Sequence, residues 1–226
     1  MSSQAFGIML VNKPKGITSH DVVDVARKRL GLRKIGHAGT LDPMATGLLV
    51  LLIGRATKLS NRFVEFDKEY EATMTLGKKT DTGDAEGKVI AEFQIGDDIT
   101  EEKIKGVFSR FVGEIEQVPP MVSALRHRGK RLYELARKGI VVERPPRRVK
   151  IYKLDITRIA LPQVDFIVAC SKGTYIRKLC EDIGDSLGCG AYQSRLHRTR
   201  IGPFRVEEAV PVEEINESAI RPIYFK

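Results

Sequence analysis

Residues 68–94 read KEYEATMTLGKKTDTGDAEGKVIAEFQ, and the first ten alternate cleanly, with Tyr70, Ala72, Met74 and Leu76 on one side and Glu69, Glu71, Thr73 and Thr75 on the other. A two-residue period is the signature of a strand with one buried face. TDTGDAEG is dense in turn formers, so GKVIAEFQ is expected to return as the hairpin partner. A hairpin mid-chain, with helical patterns before and after it, points to an α+β class with a mainly antiparallel sheet.

Upstream, Thr18 or Ser19 can cap a helix in which Val22, Val25, Ala26 and Leu30 form one stripe and Gly31 marks the end. GLRKIGHAGTLDPMATG (31–47) then reads as loop, Leu48 to Ile53 as a buried strand, and Arg55 to Phe66 as helical. Downstream, Thr100 is placed to cap a helix carrying Ile104, Val107, Phe108 and Phe111 and ended by Gly113. Strands are expected around residues 114–118, 148–159 and 163–171. Thr174 is then read as the cap of a last helix that bears Ile176, Leu179, Cys180, Ile183 and Leu187 and stops at Gly188.

At 226 residues and 42% hydrophobic, the chain is long enough for a sizeable core. Its longest apolar run, GLLVLLIG (47–54), is too short for a helical membrane span, and MSSQAFGIML lacks the basic start of a secretory signal, so a soluble cytoplasmic protein without membrane contact is expected. Three cysteines without a C-x-x-C pair and four scattered histidines predict reduced thiols and no metal.

The net charge of +9 is unevenly spread. Residues 126–150 hold ten basic side chains against Glu134 and Glu143, whereas residues 65–102 hold twelve acids against four bases. A basic run can be no more than a solvated face. This one is broken by Gly129, Gly139, Pro145 and Pro146 and carries Tyr133 and His127, which suits a folded excursion closing on phosphates. SRLHRTRIGPFR (194–205) is a second acid-free basic cluster, and together they favour a nucleic-acid partner.

Within the loop, Asp42 precedes Pro43, which biases the aspartate backbone towards extended conformations and so aims its carboxylate. Gly36 and Gly39 allow a sharp turn or a close ligand approach. Asp-Pro beside glycines is ordinary turn chemistry, or else it presents a functional carboxylate. A carboxyl group with a pKa of about 4 is ionised at neutral pH and is a poor base, so its natural work is as nucleophile or as stabiliser of positive charge. Glycosidic hydrolysis ordinarily takes two carboxylates, and a lone one favours a different reaction at the same bond. Arg177 falls in the first turn of its helix, where the macrodipole disfavours cations; either it is solvated or it pairs with a buried carboxylate such as Asp42. Tyr70 is either a core tyrosine or a stacking platform for an extruded base.

These residues bring a family into view. The chain resembles the bacterial TruB-type tRNA pseudouridine-55 synthases over residues 5–205, through NKPKGITSHDVV, GHAGTLDPMATGLLVLLIGRATKL, KEYEATMTLGKKTDTGDAEG, PPMVSALRHRGKRLYELARKGI, CSKGTYIRKL and LGCGAYQSRLHRTRIG, in family order. The resemblance implies an isomerase that turns uridine 55 in the T-loop of tRNA into pseudouridine by base flipping, cleavage of the N-glycosidic bond and reattachment through carbon, with no cofactor. It implies that Asp42, Tyr70 and Arg177 are catalytic and that His37, Tyr70, Tyr175 and Leu196 bind the substrate. It further implies a thumb insertion over residues 121–150, with Arg126, Arg128, Lys130, Arg131, Arg147 and Arg148 on the RNA.

The implied architecture is a pseudouridine synthase fold: a central mixed, mainly antiparallel sheet flanked by helices and loops, with the catalytic cleft across its middle. The expected organisation is a catalytic domain over residues 1–210 and a short C-terminal tail over 211–226, without a complete additional RNA-binding domain. The expected partner is the T-arm stem-loop of tRNA, and the expected state a monomer. The rival reading is a non-catalytic RNA-binding or RNA-folding protein, for which Asp42 would be dispensable.

Overall fold

The computed structural model of the chain describes residues 6–123 and 125–223; the side chains of Arg126 and His127 lie outside the described set. Strand β1 (Gly7–Lys13) leads into helix α1 (Ser19–Leu30). Thr18 caps the helix as expected: its hydroxyl accepts the Asp21 N–H, Asp21 reaches back to the Thr18 N–H, and Gly31 closes the far end at φ 63°. Next comes β2 (Ile35–Ala38), where the sequence suggested loop. Four residues are too few to display a period, and their strand character comes from a distant antiparallel partner, β3 (Thr46–Ile53), with His37 opposite Leu51. The loop proper is confined to residues 39–45.

Residues 54–64 form a 3-10 turn and the short α2 (Ser60–Val64) in place of one continuous helix. β4 (Lys68–Leu76) is the alternating strand. The return segment does not pair with it. Gly77, at φ 88°, turns the chain, and the hairpin joins β5 (Lys78–Thr80) to β6 (Val89–Glu92). Thr100 caps α3 (Glu101–Ser109), and Gly113 opens β7 (Gly113–Gln117) instead of ending the helix.

In the basic excursion a two-residue hairpin, β8 (Arg126–His127) with β9 (Lys130–Arg131), precedes α4 (Leu132–Ala136). The chain continues through β10 (Arg147–Ala160), β11 (Gln163–Cys170), α5 (Ile176–Leu187), β12 (Ala191–Ile201), β13 (Phe204–Arg205) and β14 (Val210–Pro211). Tyr175, not Thr174, sits at the N-cap of α5; the Thr174 hydroxyl donates to the Ser171 carbonyl at 2.9 Å. Apart from the β5–β6 and β8–β9 hairpins, the strands form a mixed, mainly antiparallel sheet, so the α+β class stands.

The chain divides into two compact units, Met1–Tyr70 with Leu196–Lys226, and Glu71–Arg195. In the first, β1 lies antiparallel to β3 and parallel to β14. β3 is buried on both faces, which explains its unbroken apolar run. Leu49, Leu51 and Ile53 join Met9, Val11, Val22, Val23 and Ala26 in one core, while Leu48, Val50 and Leu52 join Ile8, Leu10, Ala38 and Phe63 in another. Each fully buried Leu or Val contributes about 2 kcal/mol of hydrophobic free energy. The segment expected to be a tail takes part in this core: Val212 and Ile215 are buried in it, and the Arg221 backbone exchanges hydrogen bonds with Ile8.

In the second unit, β10 pairs antiparallel with β11 and with β7. Phe108 of α3 meets Phe166 of β11 edge to face at 5.5 Å. The start of α5 and the β5–β6 turn belong to this unit. Among the described residues no helix is long and apolar enough to cross a membrane.

Candidate active site

Asp42 stands half-buried in a loop whose backbone is bonded at every carbonyl from residue 39 to residue 43. The Gly39 and Thr40 carbonyls accept from the Arg198 guanidinium at 3.1 and 3.4 Å. The Leu41 carbonyl accepts from the Ser19 hydroxyl at 3.0 Å, and the Leu41 N–H donates back to the same oxygen at 2.8 Å. The Asp42 carbonyl takes the Ala45 N–H at 3.0 Å; the Pro43 carbonyl takes the Gly16 N–H at 2.9 Å and the Lys13 ammonium at 3.2 Å. A loop so fully satisfied has few alternative conformations available, and the carboxylate inherits that rigidity.

Three elements supply these clamps. Ser19 is the first residue of α1, and Lys13 ends β1. The Lys13 side chain is fully buried, and its ammonium also donates to the Pro14 and Ile17 carbonyls at 2.9 and 2.7 Å. Arg198, 1% exposed, comes from β12 and adds a 2.8 Å bond to the Leu48 carbonyl. Gly39 sits at φ 91°, a conformation that favours glycine, whereas Gly36 lies within β2 and is not needed for a turn.

Burial pulls the Arg198 pKa below the usual arginine range, and the nearby Tyr70 and Asp42 side chains oppose that fall electrostatically. Tyr70 is 8% exposed on the apolar face of β4, as the alternation required. Leu196 is buried on β12, and its carbonyl accepts from the Thr46 hydroxyl at 3.4 Å. His37 is half-buried on β2. The first unit thus brings Asp42, Tyr70 and Arg198 together, and also carries His37 and Leu196.

Tyr175 and Arg177 belong to the second unit. Gln117, 2% exposed on β7, grips the Tyr175 backbone at both polar groups: its amide oxygen accepts the Tyr175 N–H at 3.0 Å and its amide nitrogen donates to the carbonyl at 3.3 Å. Arg177 is not solvated. Its guanidinium donates to the Thr82 and Val122 carbonyls at 3.0 and 2.8 Å and lies 3.6 Å from the Asp84 carboxylate, with both side chains almost fully buried. Asp84 is itself oriented by the Thr82 hydroxyl at 2.6 Å and the Glu86 N–H at 3.1 Å. The charged partner of Arg177 within this unit is therefore a residue that sequence reasoning placed only in a turn.

Of the thumb cations, Arg128, Lys130, Arg131, Arg147 and Arg148 are exposed, with Glu116 3.8 Å from Arg148. Arg131 and Arg137 lie over the Tyr133 ring at 5.8 and 5.4 Å from its centroid. Arg126 is the one predicted contact whose side chain is outside the described set. The second basic cluster is not a free cationic patch: Arg198 is internal, while Arg195 and Arg200 face Glu71 and Glu69 at 3.8 and 3.6 Å. The three cysteines are buried free thiols, and burial pushes the Cys180 thiol far up, which leaves it protonated and unreactive. Among the described residues no cluster of three or more His, Cys, Asp or Glu side chains is arranged to hold a metal.

Comparison with known proteins matches two family descriptions in succession: TruB family pseudouridylate synthase (N terminal domain) over residues 27–176, and tRNA pseudouridylate synthase B C-terminal domain over residues 177–221. A curated tRNA pseudouridine synthase B from Opitutus terrae is 46% identical, with 96% of this chain and 93% of the relative covered. Its counterpart from Protochlamydia amoebophila is 53% identical over 93% of this chain and 79% of the relative. Among solved structures, a chain in a Cbf5-Nop10-Gar1 complex superposes with a TM-score of 0.75 at 34% identity, with coverage of 96% of this chain and 60% of that one. A chain in an H/ACA RNP bound to a substrate RNA containing 2'-deoxyuridine gives 0.68 at 33% identity, covering 92% of this chain and 52% of that one. The chain thus spans between about half and three-fifths of those two solved chains.

Proposed function

The chain belongs to the TruB family of pseudouridylate synthases, and from that membership we infer that it is an isomerase forming pseudouridine in tRNA. We propose that its target is uridine 55 of the T-loop, presented on the T-arm stem-loop. In this reading the uridine is flipped out of its stack, because its reacting atoms are otherwise inaccessible. The ionised Asp42 carboxylate assists loss of N1 from the ribose C1′; the freed base turns, and C5 bonds to C1′ in place of N1. The proton on C5 then leaves, and Tyr70, which stacks on the base, receives it.

Arg177, carried over from the family motif, supplies positive charge that keeps Asp42 ionised. Tyr175 and Leu196 line the uridine pocket, His37 fills the space vacated by the extruded nucleotide, and the thumb cations Arg126, Arg128, Lys130, Arg131, Arg147 and Arg148 engage phosphates. The reading includes a monomer that acts in the cytoplasm, the first part of which sedimentation with and without RNA would test.

The observation that carries the proposal is the fully bonded loop at residues 39–43: a half-buried carboxylate held at every neighbouring carbonyl, two of them by the buried Arg198. Preorganisation of this kind serves chemistry at one atom and is not needed merely to hold RNA. The test is tritium release from a T-arm stem-loop labelled at C5 of the target uridine, with wild type and Asp42→Asn side by side. Release by the wild type and none by the variant supports the assignment. Tight binding by the wild type without release, on the stem-loop and on full tRNA alike, would replace it with the non-catalytic RNA-binding reading.

A further inference from the structure

We propose that Gln117 is a positioning residue for this reaction: its side-chain amide, bonded to both backbone polar groups of Tyr175, sets the angle at which that tyrosine meets the flipped uridine. The inference rests on the reading of Tyr175 as a lining residue of the uridine pocket.

Glutamine is seldom buried, because its amide carries donors and an acceptor that must all find partners. Gln117 is 2% exposed at the end of β7, and its amide is directed at one residue fifty-eight positions away. The oxygen accepts the Tyr175 N–H at 3.0 Å, and the nitrogen donates to the Tyr175 carbonyl at 3.3 Å. An N–H needs an acceptor and a carbonyl needs a donor, so only this orientation of the amide satisfies both. Two bonds to one residue remove the rotation that a single bond would leave, and they do for Tyr175 what a neighbouring strand would do.

Tyr175 is not placed there for the helix. It is the N-cap residue of α5, in extended backbone at φ −101° and ψ 110°. That position favours a short hydroxyl, amide or carboxyl side chain, which a phenol cannot imitate. Its carbonyl does open the helix, taking the Leu179 N–H at 3.0 Å. Because the backbone angles limit the side-chain rotamers, whatever fixes the Tyr175 backbone also aims its ring.

The frame behind the amide is itself braced. Gln117 stands opposite Arg147 in the β7–β10 pairing. Further along β10, the Lys150 N–H donates to the Ser171 hydroxyl at 2.9 Å, and the Lys150 carbonyl accepts the Ser171 N–H at 2.8 Å. The segment between β11 and α5 is thus strapped at Ser171 and again at Tyr175. The basic excursion leaves the sheet after Gln117 and rejoins it at Arg147, so the strand pair that anchors those cations also holds the tyrosine. Such rigidity matters for rate, since a misplacement of about 1 Å can cost about 10²-fold.

The experiment is a cycle of wild type, Gln117→Met, Tyr175→Ala and the double variant, each assayed for stem-loop affinity and for single-turnover tritium release at saturating enzyme. Methionine keeps the length of glutamine and removes both bonds. Gln117→Met should slow release at least about tenfold through misplacement of the base. RNA affinity should stay within about twofold, because phosphate contacts supply most of it. Added to Tyr175→Ala, which has no ring to aim, the same substitution should cost less than about threefold more, since coupled sites are not additive. A merely structural glutamine would cost the same in either background, so losses that multiply overturn the proposal, as does a wild-type rate in Gln117→Met beside a slow Tyr175→Ala. Wild-type release by Tyr175→Ala would instead sink the reading of Tyr175, and the proposal with it. Should Gln117→Met not fold, Gln117→Glu enters the same cycle, because its carboxylate accepts the N–H but offers the carbonyl no donor. In fluorotyrosine-labelled protein, the Tyr175 fluorine resonance, identified by its absence from Tyr175→Phe, should shift in either Gln117 variant. An unmoved resonance would show that the amide does not set the ring, and would overturn the proposal whatever the rates.

Discussion

The Ser19 hydroxyl and the Leu41 backbone form a closed pair of hydrogen bonds, Oγ to the carbonyl at 3.0 Å and N–H to Oγ at 2.8 Å, across twenty-two residues of sequence. One small side chain at the start of α1 thereby satisfies both polar groups of the residue before Asp42. Ser19→Ala leaves a buried donor and acceptor without it, and should cost about 2 kcal/mol in chemical denaturation. It should also slow tritium release at unchanged RNA affinity; a variant as stable and as fast as wild type would mean the loop does not depend on this pair.

Asp42→Asn removes charge and almost no volume. Turnover should fall to the uncatalysed background while the dissociation constant for a T-arm stem-loop stays near that of wild type, as measured by filter binding beside the tritium assay. Retained turnover would take Asp42 out of the mechanism.

Tyr70→Phe keeps the buried ring on β4 and deletes only the phenolic oxygen. Binding should persist and release should slow by about 10²- to 10⁴-fold, the usual worth of a positioned acid–base group. Unchanged release would confine Tyr70 to stacking.

Asp84 and Arg177 are a buried pair at 3.6 Å, with the arginine also tied to the Thr82 and Val122 carbonyls. Asp84→Asn breaks the pair from one side and leaves a buried cation, which should lower stability by about 3 kcal/mol in a denaturant titration. A loss below about 1 kcal/mol would show that the carbonyls alone satisfy the guanidinium.

Arg147 and Arg148 open β10 with their side chains exposed. If they meet phosphates, replacing both with glutamine should flatten the plot of log affinity against log salt by about one to two units of slope. An identical slope would place the RNA elsewhere.

Much of the fold was legible because local physics wrote it. The Thr18 capping box, the doubly buried β3 and the alternation of β4 each follow from side chains within a few residues of one another. β2 and β12 were not legible, for different reasons. β2 is four residues held by a partner, and β12 buries Gln193, Leu196, Arg198 and Ile201 in a strand whose arginines mask any apolar period. The β5–β6 pairing was missed because Gly77 turns the chain and Lys78–Thr80, too short to show a period, takes the returning segment in place of β4.

The sequence by itself singled out the candidates for the reaction: Asp42 before Pro43, Tyr70 on the apolar side of a strand, Arg177 in a helix's first turn, and a basic excursion over 126–150. Their chemical types and local settings needed no partner to be recognised. Only the tertiary structure decided what holds them. Ser19, Lys13 and Arg198 converge on one loop, Gln117 grips Tyr175, and Asp84 pairs with Arg177, each from a residue distant in the chain or hidden in a turn. The reason is physical: a buried charge or carbonyl takes whatever complementary group the packing brings to it, and packing is a property of the folded core that no short stretch of residues contains.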